Sequence, residues 1–231
     1  MSDAPISTFS LLSSQASRAL ARALISGYVD AYALLSFGVY ASFMTGNTTS
    51  GGVHAGQGDL PAAAHSLLPV PFFLVGIVAG TLLVHASPFR ALRRISLLVA
   101  GMLAAAVAGA WFAWPLWLGI MLLSSAMGLL NTSVTQVGGQ RVSLGFMTGD
   151  LNYLAQHIAH AILRAPVLQV QGERDTHWRR AALLGSLWTF FLAGAVLGAA
   201  VAFRVAVWTL LLPALLLLVL ALLEPPANSA D

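Results

Sequence analysis

The sequence predicts an all-α polytopic transmembrane helical bundle of six spans, arranged as a 3+3 inverted repeat. Three observations lead there: long apolar runs with very few charges, arginines gathered at alternate ends of those runs, and three short segments that recur in the same order in both halves. Of the 231 residues, 58% are hydrophobic and only 8% charged, and the mean hydropathy is +0.82. A soluble domain carries about 25% charged residues, so this chain could not solvate its own surface in water. Runs of ~18–20 apolar residues cross a bilayer. Inside lipid each run must satisfy its own backbone hydrogen bonds, so the spans are helices. The alternating ~10-residue pattern of a transmembrane barrel does not occur.

The spans fall at about 20–43, 67–86, 95–114, 116–137, 181–203 and 205–223. They divide the chain into a cytoplasmic segment 1–19, a first three-span repeat 20–114, a second repeat 115–223 and a tail 224–231 that reads as short and mobile. Segment 45–65 is too polar and glycine-rich to span, and 146–164 is amphipathic, with Leu151, Leu154, Ile158 and Ile162 on its apolar side. Both read as re-entrant or interfacial segments, after spans one and four. No cleavable signal peptide is expected, so the first span serves as its own insertion signal.

Arginine placement orients the bundle. All eleven basic residues are Arg. With the N-terminus in the cytoplasm, ten of them lie inside and Arg204 alone lies outside, a strong positive-inside signal. Both termini are therefore expected in the cytoplasm. Trp111, Trp114 and Trp117 mark the outer turn between spans three and four, as interfacial aromatics do. The formal charge of +3 thus reflects topology, and no nucleic-acid partner is expected. The expected partners are the lipid bilayer and a small solute or ion, with a homo-oligomer as a further option. Cysteine is absent, which removes disulfides, thiolate metal sites and cysteine nucleophiles.

The repeat rests on three matches. Gly27-Tyr28-Val29-Asp30 matches Gly128-Leu129-Leu130-Asn131. Phe43-Met44-Thr45-Gly46-Asn47 matches Phe146-Met147-Thr148-Gly149-Asp150. Phe72-Phe73-Leu74-Val75-Gly76 through Gly80 matches Phe190-Phe191-Leu192-Ala193-Gly194 through Gly198. Three spans per half make the halves face opposite ways, a plan common in secondary transporters, whose sites lie between the halves near mid-membrane.

Asp30 lies ~10 residues, or about 15 Å, into the first span. An ionised carboxylate there costs at least ~2.5–3.5 kcal/mol. It is read as a proton or cation site or a substrate anchor, against the alternative of a structural interhelical hydrogen bond. Asn131, its repeat mate, is expected to face it across the pseudo-two-fold axis. Tyr28, Tyr32 and Gln136 complete the candidate substrate or ion site, among hydroxyls that can equally bind helices together. Thr45, Gly46 and Asn47, and Thr148, Gly149 and Asp150, are read as breaks ending spans one and four. There glycine stops a helix and Asn47 or Asp150 caps the next; the functional alternative is that the breaks expose helix ends to an ion. Asp150 could pair with Arg141. The GxxxG patterns Gly76/Gly80 and Gly194/Gly198 predict close packing of the two halves. His157 and His160 stand three residues apart and could ligate a metal, but no third ligand is evident in the sequence. They are read as a polar interfacial face, with no metal and no cofactor. Catalytic constellations are missing, so no enzyme is expected.

At Gly27, Asp30 and Ala31, and at Phe43 through Thr48, the chain resembles the YoaK-like bacterial membrane proteins, a domain of unknown function. The resemblance covers about residues 23–220. It implies a multispan protein of the bacterial inner membrane and adds no substrate. The expected function is a small secondary transporter or permease, proton-coupled through Asp30. The alternatives are an oligomeric channel, or a structural or regulatory membrane protein without transport.

Overall fold

The structure is a computed structural model that describes residues 8–133, 136–137, 140–141, 147–167, 170 and 175–224. The described chain is almost entirely helical. Its elements run α1 (Thr8–Phe37), α2 (Met44–Gly56), α3 (Leu60–Leu67), α4 (Pro69–Ala86), α5 (Pro88–Trp111), α6 (Leu116–Asn131), α7 (Met147–Ile162), α8 (His177–Val205) and α9 (Leu211–Leu223), with a 3-10 turn at Ala206–Leu210. A two-residue antiparallel ladder, β1 (Gln136–Val137) with β2 (Gln140–Arg141), sets Gln136 opposite Arg141. It is the one departure from the all-α expectation among the described residues.

Among the described residues, three stretches are long and apolar enough to cross a membrane: Leu60–Ala86, Arg90–Trp111 and His177–Leu223. The last, of 47 residues, is folded back on itself. Ala206 adopts a positive φ of 49°, and the 3-10 turn reverses the chain between α8 and α9. Leu116–Asn131 is a shorter apolar helix. Segment 45–65 holds most of two helices, α2 and α3. α3 is capped by the Asp59 side chain accepting from the Ala62 N–H.

The bundle is apolar on its outside. Leu74, Val75, Val78 and Leu82 of α4 and Leu212, Leu215 and Leu222 of α9 are all exposed, a surface too large and continuous for a monomer in water. Inside, Ile25, Val29, Ile95, Val99, Leu103, Leu123, Met127, Leu187 and Leu217 form the core.

Two helix pairs dominate the packing, α1 with α8 and α4 with α6. Each pair is built on glycines that leave room for the facing backbone. A Cβ on Gly27 would strike the carbonyl of Phe191 and approach Ala195; one on Gly128 would strike the carbonyl of Phe73 and approach Ile77. Phe73 and Phe191, like Ile77 and Ala195, hold matching places in the repeated segments. Reciprocally, Gly76 faces the Ser125 carbonyl and Gly194 the Leu24 carbonyl, again at matching places, while Gly198 faces Tyr28 and Gly80 faces Thr132. Residue numbers rise together on both members of each pair, so α1 runs parallel to α8 and α4 parallel to α6. Each pair joins one helix from each half of the sequence.

One end of the bundle is charged and the other aromatic. The buried Arg22 guanidinium donates to Glu224 at 2.8 Å and to Ser96 Oγ at 3.4 Å, joining α1, the end of α9 and α5. Arg18 lies 3.6 Å from the same carboxylate. Glu224 is thus anchored, which corrects the expectation that the mobile tail begins there; residues 225–231 lie outside the described residues. Trp111, Trp114, Trp117 and Trp208 are exposed at the far end of α5 and its neighbours. Trp111 and Trp208 meet edge to face, 6.1 Å between centroids.

Candidate functional site

Helix α1 stops at Phe37 because Gly38 takes a positive φ of 69°. The orphan carbonyl of Phe37 is met by His65 Nε2 of α3 at 2.8 Å. Residues 38–43 are not helical. They turn back along α1, so that Ser42 arrives beside Asp30, seven residues and about 10 Å before the helix end. There the Asp30 carboxylate accepts from the Ser42 N–H at 2.7 Å and from Ser42 Oγ at 2.6 Å. Asp30 and Ser42 are both buried, and Ser26 Oγ lies 3.5 Å from Ser42 Oγ. A buried carboxylate that receives two hydrogen bonds, one from backbone, is a strong clamp.

The same returning segment is held from its other side by Asn47. Its Oδ1 accepts from the Tyr40 N–H at 2.9 Å, and its Nδ2 donates to the Tyr40 carbonyl at 2.7 Å. The side-chain amide thus pairs with Tyr40 as a neighbouring strand would. Gly46 supplies the space: a Cβ there would collide with the Phe43 ring and crowd the Tyr40 ring. Those two rings stack edge to face at 5.2 Å. The Phe43 to Asn47 motif is therefore a device for fixing a non-helical backbone segment.

Several expected placements change. Thr45, Gly46 and Asn47 open α2 and do not end α1, which closes at Phe37. Likewise Thr148, Gly149 and Asp150 lie in the first turn of α7, while α6 ends at Asn131. Asn47 does not cap the following helix, because its amide is fully engaged with Tyr40. Thr45 is exposed, and its carbonyl accepts from Thr49 Oγ1; Thr148 is also exposed. Asp150, in the place matching Asn47, is buried, and the Arg141 side chain expected to pair with it lies outside the described residues. The hydrogen bonds of Asp30 run to the 41–42 backbone and Ser42 Oγ, not to the half-buried Asn131. The hydrogen-bond partner of Asp30 is thus one that a local chain reversal provides. Tyr28 donates to the Thr209 carbonyl at 3.2 Å and ties α1 to the turn before α9. Tyr32 lies in a mostly apolar crevice with Phe37, Trp114, Gly119, Val207 and Leu210. The Gln136 side chain lies outside the described residues.

Sequence reasoning missed Ser42, Arg22 and Glu224, which carry no motif and become partners only through folding. It also missed His177. The first residue of α8, His177 sits against His157 and His160 of α7, with ring centroids 5.1 Å from each. Burial, followed by the nearby His177, Arg180 and His160, holds the His157 imidazole below its ordinary pKa.

A helical bundle with an apolar exterior, a buried ion pair and a carboxylate inside defines an integral membrane protein. The chain belongs to the family described as protein of unknown function, DUF1275, whose pattern matches residues 18–223. It is also 33% identical over 197 residues to a UPF0700 transmembrane protein of Rhizobium meliloti (strain 1021), covering 84% of this chain and 80% of that protein. No solved structure matches it.

Proposed function

We propose that this is a small secondary transporter of the bacterial inner membrane, coupled to protons through Asp30, with six spans in a 3+3 inverted repeat and both termini cytoplasmic. The observation that carries the reading is the returning segment 38–43, held between α1 and α2 by Asp30 and Asn47. Non-helical backbone at membrane depth is tolerated only where protein buries it or it lines a cavity, and broken helices of this kind build substrate sites in transporters. The parallel pairs α1/α8 and α4/α6, with their matched glycine contacts, support the inverted repeat. They also provide two bodies able to rock against each other. The Arg-rich end and the Trp-rich end support the orientation.

In this mechanism the ionised Asp30 holds segment 38–43 closed through Ser42. Protonation removes the charge that strengthens both hydrogen bonds, and the segment is released. The proton and solute would then share one gate. The solute is an unidentified small molecule or ion, the protein needs no cofactor, and it is not an enzyme. A second reading, a structural or regulatory membrane protein, is favoured by one fact: both Asp30 oxygens are already satisfied in a buried setting.

The chain has no cysteine, so Ala41→Cys gives a single thiol on the segment. Membrane-impermeant maleimide is applied to each face of sealed vesicles, at pH 5.5 and 7.5. Alternating access predicts labelling from either face, in proportions that shift with pH, and a fixed proportion in Asp30→Asn. A channel gives equal labelling from both faces under all conditions. Protection from both faces at both pH values would overturn the transporter and favour the scaffold.

A further inference from the structure

We infer that His157, His160 and His177 form a binding site for one divalent transition-metal ion of the zinc class. One ring nitrogen from each lies within 4.8 Å of one from each of the others. Three imidazoles facing one point, with a fourth position open, is the donor set of non-structural zinc sites, and imidazole equally suits Cu²⁺, Ni²⁺ and Co²⁺. An ion ~2.0–2.1 Å from each nitrogen needs the rings drawn somewhat closer, a movement that side-chain rotation supplies because His160 is exposed.

A further observation points to a ligand. His157 and His177 share one hydrogen bond between their Nδ1 atoms, 2.9 Å apart, which holds the two rings together. The buried Nε2 of His177 has no hydrogen-bond partner, although the ring is 8% exposed. A buried imidazole usually gives its second nitrogen a partner.

The site is built on fixed elements. Helices α7 and α8 pack together along their length, with Leu154 near Gly185, which makes them an antiparallel hairpin. His157 and His160 are one turn apart on one face of α7. His177 is held by the cap of α8, where Thr176 Oγ1 accepts from the Arg179 N–H at 3.2 Å. The Asp175 carboxylate takes two hydrogen bonds from Arg180, at 3.0 and 2.7 Å, and so neutralises the cation next to the site. The trio lies at the start of α8, beyond the Arg22–Glu224 end of the bundle, away from the Asp30 clamp.

The test uses the full chain purified with a tag that contains no histidine, stripped with chelator and then offered Zn²⁺ or Co²⁺ in a nanodisc. The expected result is one ion retained per chain after desalting, with visible absorption bands of four-coordinate Co²⁺. His160→Ala, at an exposed position, leaves folding intact and should weaken binding by more than the ~10–100-fold that loss of an outer-shell partner costs. His157→Ala with His177→Ala should abolish it. His54→Ala, His65→Ala and His85→Ala are controls expected to bind as wild type. No retained metal at micromolar free ion overturns the site. So does retention that survives His160→Ala unchanged.

Discussion

Gly128 offers a direct test of the helix pairing. Changing it to Ala adds one methyl group, aimed at the Phe73 carbonyl of α4, with the Phe73 carbonyl carbon at 3.0 Å and the Ile77 nitrogen at 3.1 Å. The obstacle is backbone, so no side chain can rotate away, and α4 and α6 must separate by well over ~1 Å to restore normal contact distances of ~3.5–4.0 Å. Overpacking costs typically ~1–3 kcal/mol, and a backbone–backbone clash belongs at the upper end. Against this, Ala in place of Gly in a helix interior gains ~0.8–1.0 kcal/mol. The net loss is about 2 kcal/mol, roughly a 30-fold shift in the folding equilibrium at ~1.4 kcal/mol per tenfold. Gly101→Ala in α5 is the matched control. Nothing lies within 4 Å of its added Cβ, so only the propensity gain remains and stability should rise slightly. Tryptophan fluorescence during thermal and SDS unfolding in one detergent measures both. A Gly128→Ala protein as stable as wild type would refute the close parallel packing of α4 on α6.

Gly27→Ala should behave as Gly128→Ala does, because it meets the Phe191 carbonyl at the matching place; a large difference in unfolding midpoint would argue against equivalent pairs. Asp30→Ala leaves the Ser42 N–H and hydroxyl unsatisfied, at ~1–3 kcal/mol for each buried group, whereas Asp30→Asn keeps an acceptor for the N–H; folded yield by size-exclusion chromatography should rank wild type, Asn, Ala. Arg22→Met leaves Glu224 only the looser Arg18 contact at 3.6 Å and should cost less than the ~3–5 kcal/mol of a fully unpaired buried charge, while Arg22→Met with Glu224→Leu should recover part of it, as a double-mutant cycle on unfolding midpoints would record. Reporter fusions after Arg94 and after Gly172 should both read cytoplasmic, and an outside signal at either would remove the six-span topology.

Composition and pattern determined a good deal of this. The scarcity of charge required an apolar exterior, and the arginine and tryptophan positions set two unlike ends, because insertion energetics act on local sequence. The repeated glycines were legible as close-approach positions, since only a missing Cβ permits backbone contact. Which helices they join was not legible: pairing α1 with α8 and α4 with α6 depends on the whole chain being placed at once. The Asp30 site was half read. Its burial followed from the cost of exposing a carboxylate to lipid, but its partner did not, because Ser42 reaches it only through the reversal at Gly38 and the hold of Asn47 on Tyr40. Sequence matching made Asn131 the natural mate, yet a hydrogen bond goes to whichever donor the backbone delivers within reach. His177 shows the same division. Seventeen residues separate it from His160, so no spacing rule joins them, and only the antiparallel packing of α7 on α8 brings the third imidazole to the other two.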